Sequence, residues 1–518
     1  MSSISPKKIL FAMISGLLLT GSFAPSPLDW MVWFAWVPLL RTLDNESSTH
    51  AFLLGFVAGL AHYLTLIYWI VPTLQNYGYL DFLTSLGALV LLCLYLALYP
   101  ALFAYLLCRV KDTPAPVFMM GALWVGLEII RAHFLTGFPW CLLGYTQFRN
   151  LFLIQVADMV GVYGISFIIV LTNGLIYRLL FHRDVSKRRG LKWEIMGLLL
   201  VVAFSLIYGQ YRLAGGEHKG KGGKSLKAAI IQGNIDQSIK WDPAYQEKSV
   251  DTYERLTRST PSFKPDLVVW PETAMPFFFQ DNEDFSPRLF DMSKQAGADL
   301  IFGSPAYEKT HSGTKYYNRV YLLSRRGEFA GYYDKVHLVP FGEYVPYKWL
   351  FPFFRHLLHA AGNFASGEKI EPLELTNHSA GILICFEVIF PELARAQARK
   401  GAAILVNLTN DAWFGRTSAP YQHLSMAVFR AVENGRPMIR AANTGFSAFI
   451  GPHGHIMARS QLFKEEVLTR DLRLGHASLR FYTRYGDLFA FALLVISFLM
   501  VFRVLWYNKL LSVFFRRS

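Results

Sequence analysis

Apolar residues gather towards the two ends of this chain, and a long polar stretch separates them. Eight runs are apolar enough to read as membrane spans: residues 9–23, 30–40, 51–71, 82–108, 116–130, 160–181, 195–211 and 488–506. The third and fourth reach the ~20 apolar residues that a bilayer core demands, whereas the first two are short and predict a small tilt or a re-entrant pair. Lys7 and Lys8 ahead of the first run also fit a signal peptide, but the spans that follow predict retention.

From about residue 213 the pattern changes to short alternating or wholly apolar runs. Strand-like runs at 227–231, 266–270, 300–303, 319–323, 381–385, 403–407, 438–442 and 447–450 alternate with helix-like segments at 243–258, 287–296, 390–400 and 421–433. Such alternation predicts an α/β layer fold. Three regions result: an N-terminal transmembrane bundle of about seven spans (1–212), an inserted α/β domain (213–486), and a C-terminal transmembrane helix with a tail (487–518). Residues 215–223, rich in Gly and Lys, read as a linker out of the seventh span.

Composition agrees with lipid as solvent for part of the chain. Hydrophobic residues make up 53% and charged residues 17% of the 518, and mean hydropathy is +0.28, against a charged fraction of ~25% in soluble proteins. A net charge of +14 raises nucleic acid as a partner, but the basic residues lie at the ends of apolar runs or in the polar insert, which argues against it. Lys7, Lys8, Arg41, Arg109, Lys111, the run 182–189, Lys509, Arg516 and Arg517 all fall on one side if eight spans alternate. That side is cytoplasmic by the positive-inside rule, and residues 213–486 then face the periplasm. Glu128 and Arg131, in or beside the fifth span, are either functional or a structural i,i+3 pair.

Of the four cysteines, Cys93, Cys108 and Cys141 lie in or beside apolar runs and read as small packing residues. Cys385 alone falls in the polar domain, where it has no disulfide partner. A free thiol, with pKa near ~8.5, is only a few per cent thiolate at neutral pH. A carboxylate such as Glu272 could take its proton, and an ammonium such as Lys335 could stabilise the anion and the oxyanion formed by attack. Pro271 ends an apolar strand and aims Glu272 at the sheet edge, where sites form. The domain's one cysteine has neither a paired thiol nor an HExxH companion, so no metal is expected.

Three short motifs, Trp270-Pro271-Glu272, Tyr333-Asp334-Lys335 and Cys385-Phe386-Glu387, resemble in their order and flanks those of the nitrilase superfamily. Together with Gln232-Gly233-Asn234, Lys240-Trp241-Asp242-Pro243, the stretch from Tyr332 to Pro346, that from Asn407 to Gly415, and Phe134 to Trp140, they closely resemble the bacterial apolipoprotein N-acyltransferases, a membrane family within that superfamily. Nearly the whole chain is covered; Phe386 stands where the family often has Tyr. The resemblance implies a four-layer αββα sandwich, with Cys385 as nucleophile, Glu272 as general base and Lys335 as oxyanion stabiliser. Glu343 and Glu387 are implied near the site, with Trp241, Asn318, Tyr344 and Trp413 in support and no cofactor.

The implied reaction moves an acyl chain from a phospholipid, typically phosphatidylethanolamine, through a Cys385 thioester to the α-amine of an S-diacylglyceryl cysteine on an apolipoprotein. The aromatic-rich residues 344–354 read as an interfacial loop or as an ordinary flap. A membrane-tethered amidohydrolase, with water as acceptor, and a non-enzymatic transporter or sensor are the other readings left open.

Overall fold

The computed structural model describes residues 4–110, 113, 115–181, 190–215, 225–260, 262–311, 313–346, 363–474 and 478–514, with side chains to residue 506. The interfacial stretch beyond Pro346, the basic run 182–189 and most of the Gly/Lys linker lie outside them. The chain divides into two compact units: residues 1–71, 82–211 and 485–518, and residues 72–81 with 212–484.

Six described helices of the first unit are long and apolar enough to cross a membrane: Ser48–Leu66, Phe82–Val110, Pro116–Thr136, Ala157–Phe181, Leu191–Ala214 and Leu488–Trp506. Six of the eight expected runs are such helices, and the first two, already short in sequence, are built differently. The first is a helix of 16 residues, Pro6–Gly21. The second is broken into a 3₁₀ turn, Asp29–Trp33, and a six-residue helix, Val37–Thr42. Backbone freed by such a break has to be satisfied inside an apolar unit, and a residue far away in sequence does so. Asn173 accepts from Trp36 N at 2.9 Å and donates to Val32 O at 2.8 Å, while Ser15 Oγ bridges Ala35 O and Leu39 N at 2.6 and 3.0 Å.

The chain still doubles back across this break. Lys8, at the start of the first helix, sits 2.5 Å from Glu46, just ahead of Ser48–Leu66. Arg109, at the end of Phe82–Val110, donates to Ser48 Oγ at 2.7 Å, and Arg41 lies 4.9 Å over the Phe181 ring. Arg178 pairs with Glu194, whose carboxylate also accepts from Val117 N at 3.3 Å. Lys8, Arg41, Arg109 and Arg178 thus gather at one end of this unit. Glu128 accepts from Trp124 Nε1 at 3.0 Å and Leu143 N at 2.8 Å, and Arg131 donates to the Tyr63 hydroxyl at 2.5 Å. Cys93 and Cys141 are buried, and Cys108 is half-buried.

The second unit is built on two six-stranded sheets. In chain order the strands are β1 (Ser225–Gln232), β2 (Leu267–Val269), β3 (Asp299–Thr310), β4 (Gly313–Leu323), β5 (Phe329–Asp334), β6 (Leu373–Glu374), β7 (Ser379–Ile384), β8 (Ile404–Thr409), β9 (Met438–Ala442), β10 (Ala448–Ile450), β11 (Ile456–Arg459) and β12 (Glu466–Arg473). One sheet runs β12-β1-β2-β3-β4-β5 and the other β11-β10-β9-β8-β7-β6.

The two-residue period of a strand explains the layering. Ala228, Ile230, Leu267 and Val269 point into a core shared with Ile382, Ile384, Val406, Leu408 and Ile439 of the other sheet. Their neighbours Ala229, Ile231, Val268 and Trp270 point outward, against Val250, Tyr253 and Leu256 of the helix Gln246–Thr257 and Leu289 and Met292 of Ser286–Ala296. Helices Pro391–Arg399 and Ala419–Asn434 pack on the second sheet. The four layers are those of the αββα sandwich.

Candidate active site

Glu272 leaves the end of β2 through a turn that β3 supports: Trp270 N donates to Ile301 O at 2.8 Å and Gly303 N to Pro271 O at 3.1 Å. A Cβ on Gly303 would fall 2.3 Å from Thr273 N and 2.8 Å from Glu272 Cα, so only glycine lets the strand come this close. Thr273 itself takes a left-handed φ of 49°. The buried Glu272 carboxylate accepts from Asn318 Nδ2 at 2.8 Å and from the Asn410 backbone N–H at 2.9 Å.

Lys335 follows β5, whose end is fixed by a double hydrogen bond from Arg319 to Asp334 at 2.6 and 2.8 Å. That register brings Lys335 N to Asn318 O at 2.9 Å. The Lys335 ammonium, 1% exposed, lies 2.9 Å from the Glu343 carboxylate and 3.6 Å from Glu272 Oε1. Asn318 joins the two acids, donating to Glu343 Oε1 at 2.9 Å as well as to Glu272.

Cys385 sits one residue past β7, on a left-handed backbone with φ 50°. This conformation is uncommon for a side chain larger than glycine, and it is held by its surroundings. Glu387 reaches back to Ile384 N at 2.7 Å and across to Val336 N and His337 N at 2.7 and 3.1 Å, with the Tyr333 hydroxyl at 3.2 Å. Beneath the turn, Asn407 and His423 bond to the Cys385 carbonyl at 3.5 and 3.3 Å. Arg440 donates to Asn407 and, at 2.7 Å, to Asp411, which is 3.1 Å from His423.

The two acids that the sequence left undivided therefore have different places. Glu343 is paired with Lys335, whereas Glu387 ties the Cys385 turn to the strand end that carries Lys335.

Burial would lower the proton affinity of Lys335, but the Glu343 and Glu272 carboxylates outweigh it and keep the amine charged. Burial pushes the Cys385 thiol well up; Glu272 adds to that, and Lys335 and a Thr409 hydrogen bond oppose it. The resting group is a thiol with a carboxylate and an ammonium both acting on it. Burial raises Glu387 to about 7 against the three N–H groups that bond to it, and Asp411 is held low by Arg440 despite its burial.

Glu272, Lys335 and Cys385 are thus brought together with Asn318, Glu343 and Glu387. Trp241 is about half exposed beside the buried Lys240, the Trp413 ring packs edge-on against Tyr77 at 4.9 Å, and the Tyr344 carbonyl accepts from Phe341 N at 2.8 Å. No local signal gives a role to Asn410, Gly303, Lys240 or the Asn407–Asp411–His423–Arg440 network, although Lys240, Asn407, Asn410 and Asp411 fall inside the motif-bearing stretches. Among the described residues, no group of three His, Cys, Asp or Glu is placed to hold a metal ion.

A thiol, a carboxylate and an ammonium meeting at the strand ends of an αββα sandwich define a carbon–nitrogen hydrolase fold, here on a chain that also carries a bundle of apolar helices. Residues 227–479 match the carbon-nitrogen hydrolase family, and residues 15–175 match the apolipoprotein N-acyltransferase N-terminal domain. The chain is 47% identical over 495 residues to an apolipoprotein N-acyltransferase of Geobacter metallireducens, covering 95% of this chain and 94% of the relative. Relatives of the same name from Pasteurella multocida and Methylococcus capsulatus are each 33% identical over 469 residues, with 88% and 89% of this chain and 88% and 90% of the relative covered. The chain belongs to the apolipoprotein N-acyltransferase family of bacterial membrane proteins.

Proposed function

We propose that the protein transfers an acyl chain from a phospholipid, with phosphatidylethanolamine as donor, to the α-amine of the S-diacylglyceryl cysteine of apolipoproteins. The observation that carries this reading is the Glu272 carboxylate, oriented by Asn318 and the Asn410 N–H beside Lys335, acting on a protonated Cys385 thiol. Cys385 Sγ attacks the donor ester carbonyl as its proton passes to Glu272, and Lys335 stabilises the oxyanion. Collapse expels the lysophospholipid alkoxide, which takes the proton from Glu272 and leaves a thioester. The lipoprotein amine then attacks the thioester, Glu272 takes the amine proton, and the leaving Cys385 thiolate is reprotonated. An amide replaces a more reactive thioester, so the second half runs forward.

The site belongs at the outer face of the inner membrane, on a periplasmic domain spanning 213–486 between an N-terminal bundle of about seven spans (1–212), the first two of them short, and a last crossing (487–518). The gathering of Lys8, Arg41, Arg109 and Arg178 at one end of the helical unit supports placing that end in the cytoplasm. Both substrates are lipids whose chains favour the bilayer by ~0.8 kcal/mol per methylene, so a membrane-borne site avoids extracting them. The test is to incubate the purified protein with labelled phospholipid, and then with a diacylated lipopeptide or water alone. Label on Cys385 that moves to the lipopeptide amine supports the reading; label released as free fatty acid at the same rate with and without lipopeptide makes the protein a hydrolase.

A further inference from the structure

A second lysine stands by this site. Lys240 is 1% exposed, and among the described residues its ammonium has no hydrogen-bond partner. An unpaired buried ammonium is costly, so its presence here calls for a reason. The segment that carries it is pinned on the Glu272 side of the site. Asn443 bonds to the backbone N–H and carbonyl of Ile235 at 2.9 and 2.8 Å. Gln237 accepts from Asn410 Nδ2 at 2.7 Å, and the same Asn410 gives its backbone N–H to Glu272. A turn closed by Asp242 N and Ile239 O at 3.1 Å then sends Lys240 inward while Trp241 faces out.

Glu272 is the charge that acts on Lys240. Around Glu272 itself stand Lys335, Lys240 and the Cys385 thiol, with Glu343 one asparagine away. Asp411 is matched by Arg440, and Glu387 is occupied by backbone N–H groups. Two carboxylates, Glu272 and Glu343, therefore face one paired ammonium, and Lys240 makes the charges equal.

We propose that Lys240 is a positioning residue for the general base: its buried, unpaired ammonium balances the second carboxylate and keeps Glu272 ionised for the proton it must take. This rests on the reading of Glu272 as base. Losing the cation leaves two carboxylates against one ammonium, a balance that disfavours the charged base, so a rate that needs the carboxylate falls off at higher pH than before. Burial lowers Lys240 to about 8, with Glu272 opposing, so its influence fades above that pH.

The experiment is single-turnover acylation of the full-length protein by labelled phospholipid across pH 5–9, for wild type, Lys240→Met and Lys240→Gln. Both variants are expected to move the acid limb up by about one pH unit, which makes them about tenfold slower on that limb. The gap should close as pH rises past the limb, where the carboxylate is ionised with or without the cation, phospholipid KM should not change, and the thermal midpoint should be equal or higher, because an apolar or neutral group replaces a desolvated charge. An unmoved acid limb in both variants, or loss of the fold in Lys240→Met, overturns the proposal. Glu272→Gln, measured alongside, separates the two readings: wild-type acylation and an unchanged limb in that variant would remove Glu272 as base, independently of Lys240.

Discussion

Cys385 is a thiol that cannot ionise unaided at neutral pH, since burial and the neighbouring Glu272 raise it further than Lys335 and Thr409 bring it down. In the proposed mechanism, acylation therefore depends on a base at every accessible pH. Cys385→Ser is expected to abolish labelling by donor acyl chains, because a serine alkoxide is harder still to generate beside the same carboxylate; labelling at the wild-type rate would place the nucleophile elsewhere. Lys335→Met is expected to slow both half-reactions by ~10²–10³-fold, as for loss of an oxyanion donor. Glu272→Gln should also slow both, but with a distinct pH response. Alkaline pH supplies free amine to the second half-reaction and, with the thiol raised, little thiolate to the first. Enzyme loaded with an activated ester should thus recover thioester breakdown at high pH in the Gln variant, while acylation stays slow and the Met variant stays slow in both. Equal pH responses of the two variants would undo this division of labour.

At the level of elements, the site is made where strands end, and two contacts decide its precision. Gly303→Ala places a methyl against the backbone of Glu272 and Thr273; overpacking of this kind costs about 1–3 kcal/mol, and acylation should fall with it as Glu272 is displaced. Unchanged melting and activity would show that β3 yields. Glu387 accepts only from donors, so Glu387→Gln turns an amide NH₂ towards an N–H and should cost about 1–3 kcal/mol. Its raised value near 7 exceeds the unfolded one, so its share of stability is complete below pH ~4.3 and lost as pH rises to about 7; the Gln variant's thermal midpoint should lack that slope. The layered domain was legible because Ala228 and Ile230 alternate with Ala229 and Ile231 against two different cores. β12 was not, since Arg470, Asp471 and Arg473 break its apolar pattern on a sheet edge. Nor was the break in the second apolar run, which depends on Asn173 more than a hundred residues away. That Glu272, Lys335 and Cys385 would lie together was readable from their motifs, whereas Asn318 as bridge, Asn410 as donor and Lys240 as inward lysine depend on strand register and turns that no local spacing reveals.

For the whole molecule, the gathered basic ends predict a sidedness that chemistry can test. In a background with Cys93, Cys108 and Cys141 replaced by Ala, a membrane-impermeant thiol reagent should label Gly313→Cys from outside intact inner-membrane vesicles of native orientation, and should not reach Ser186→Cys or Ser512→Cys. Labelling of position 313 only from the cytoplasmic side would reverse the orientation, and with it the choice of substrate. The stretch 72–81 belongs to the catalytic unit although it lies between apolar helices in sequence: Thr73 donates to the Trp413 carbonyl at 2.9 Å and Tyr77 to that of Ala412 at 3.0 Å. These carbonyls directly follow Asp411, the acid of the network under Cys385. A fragment beginning at Arg212 would therefore be missing one of its own walls, and an enzyme of this kind is better trimmed at its periphery than cut free of its membrane half.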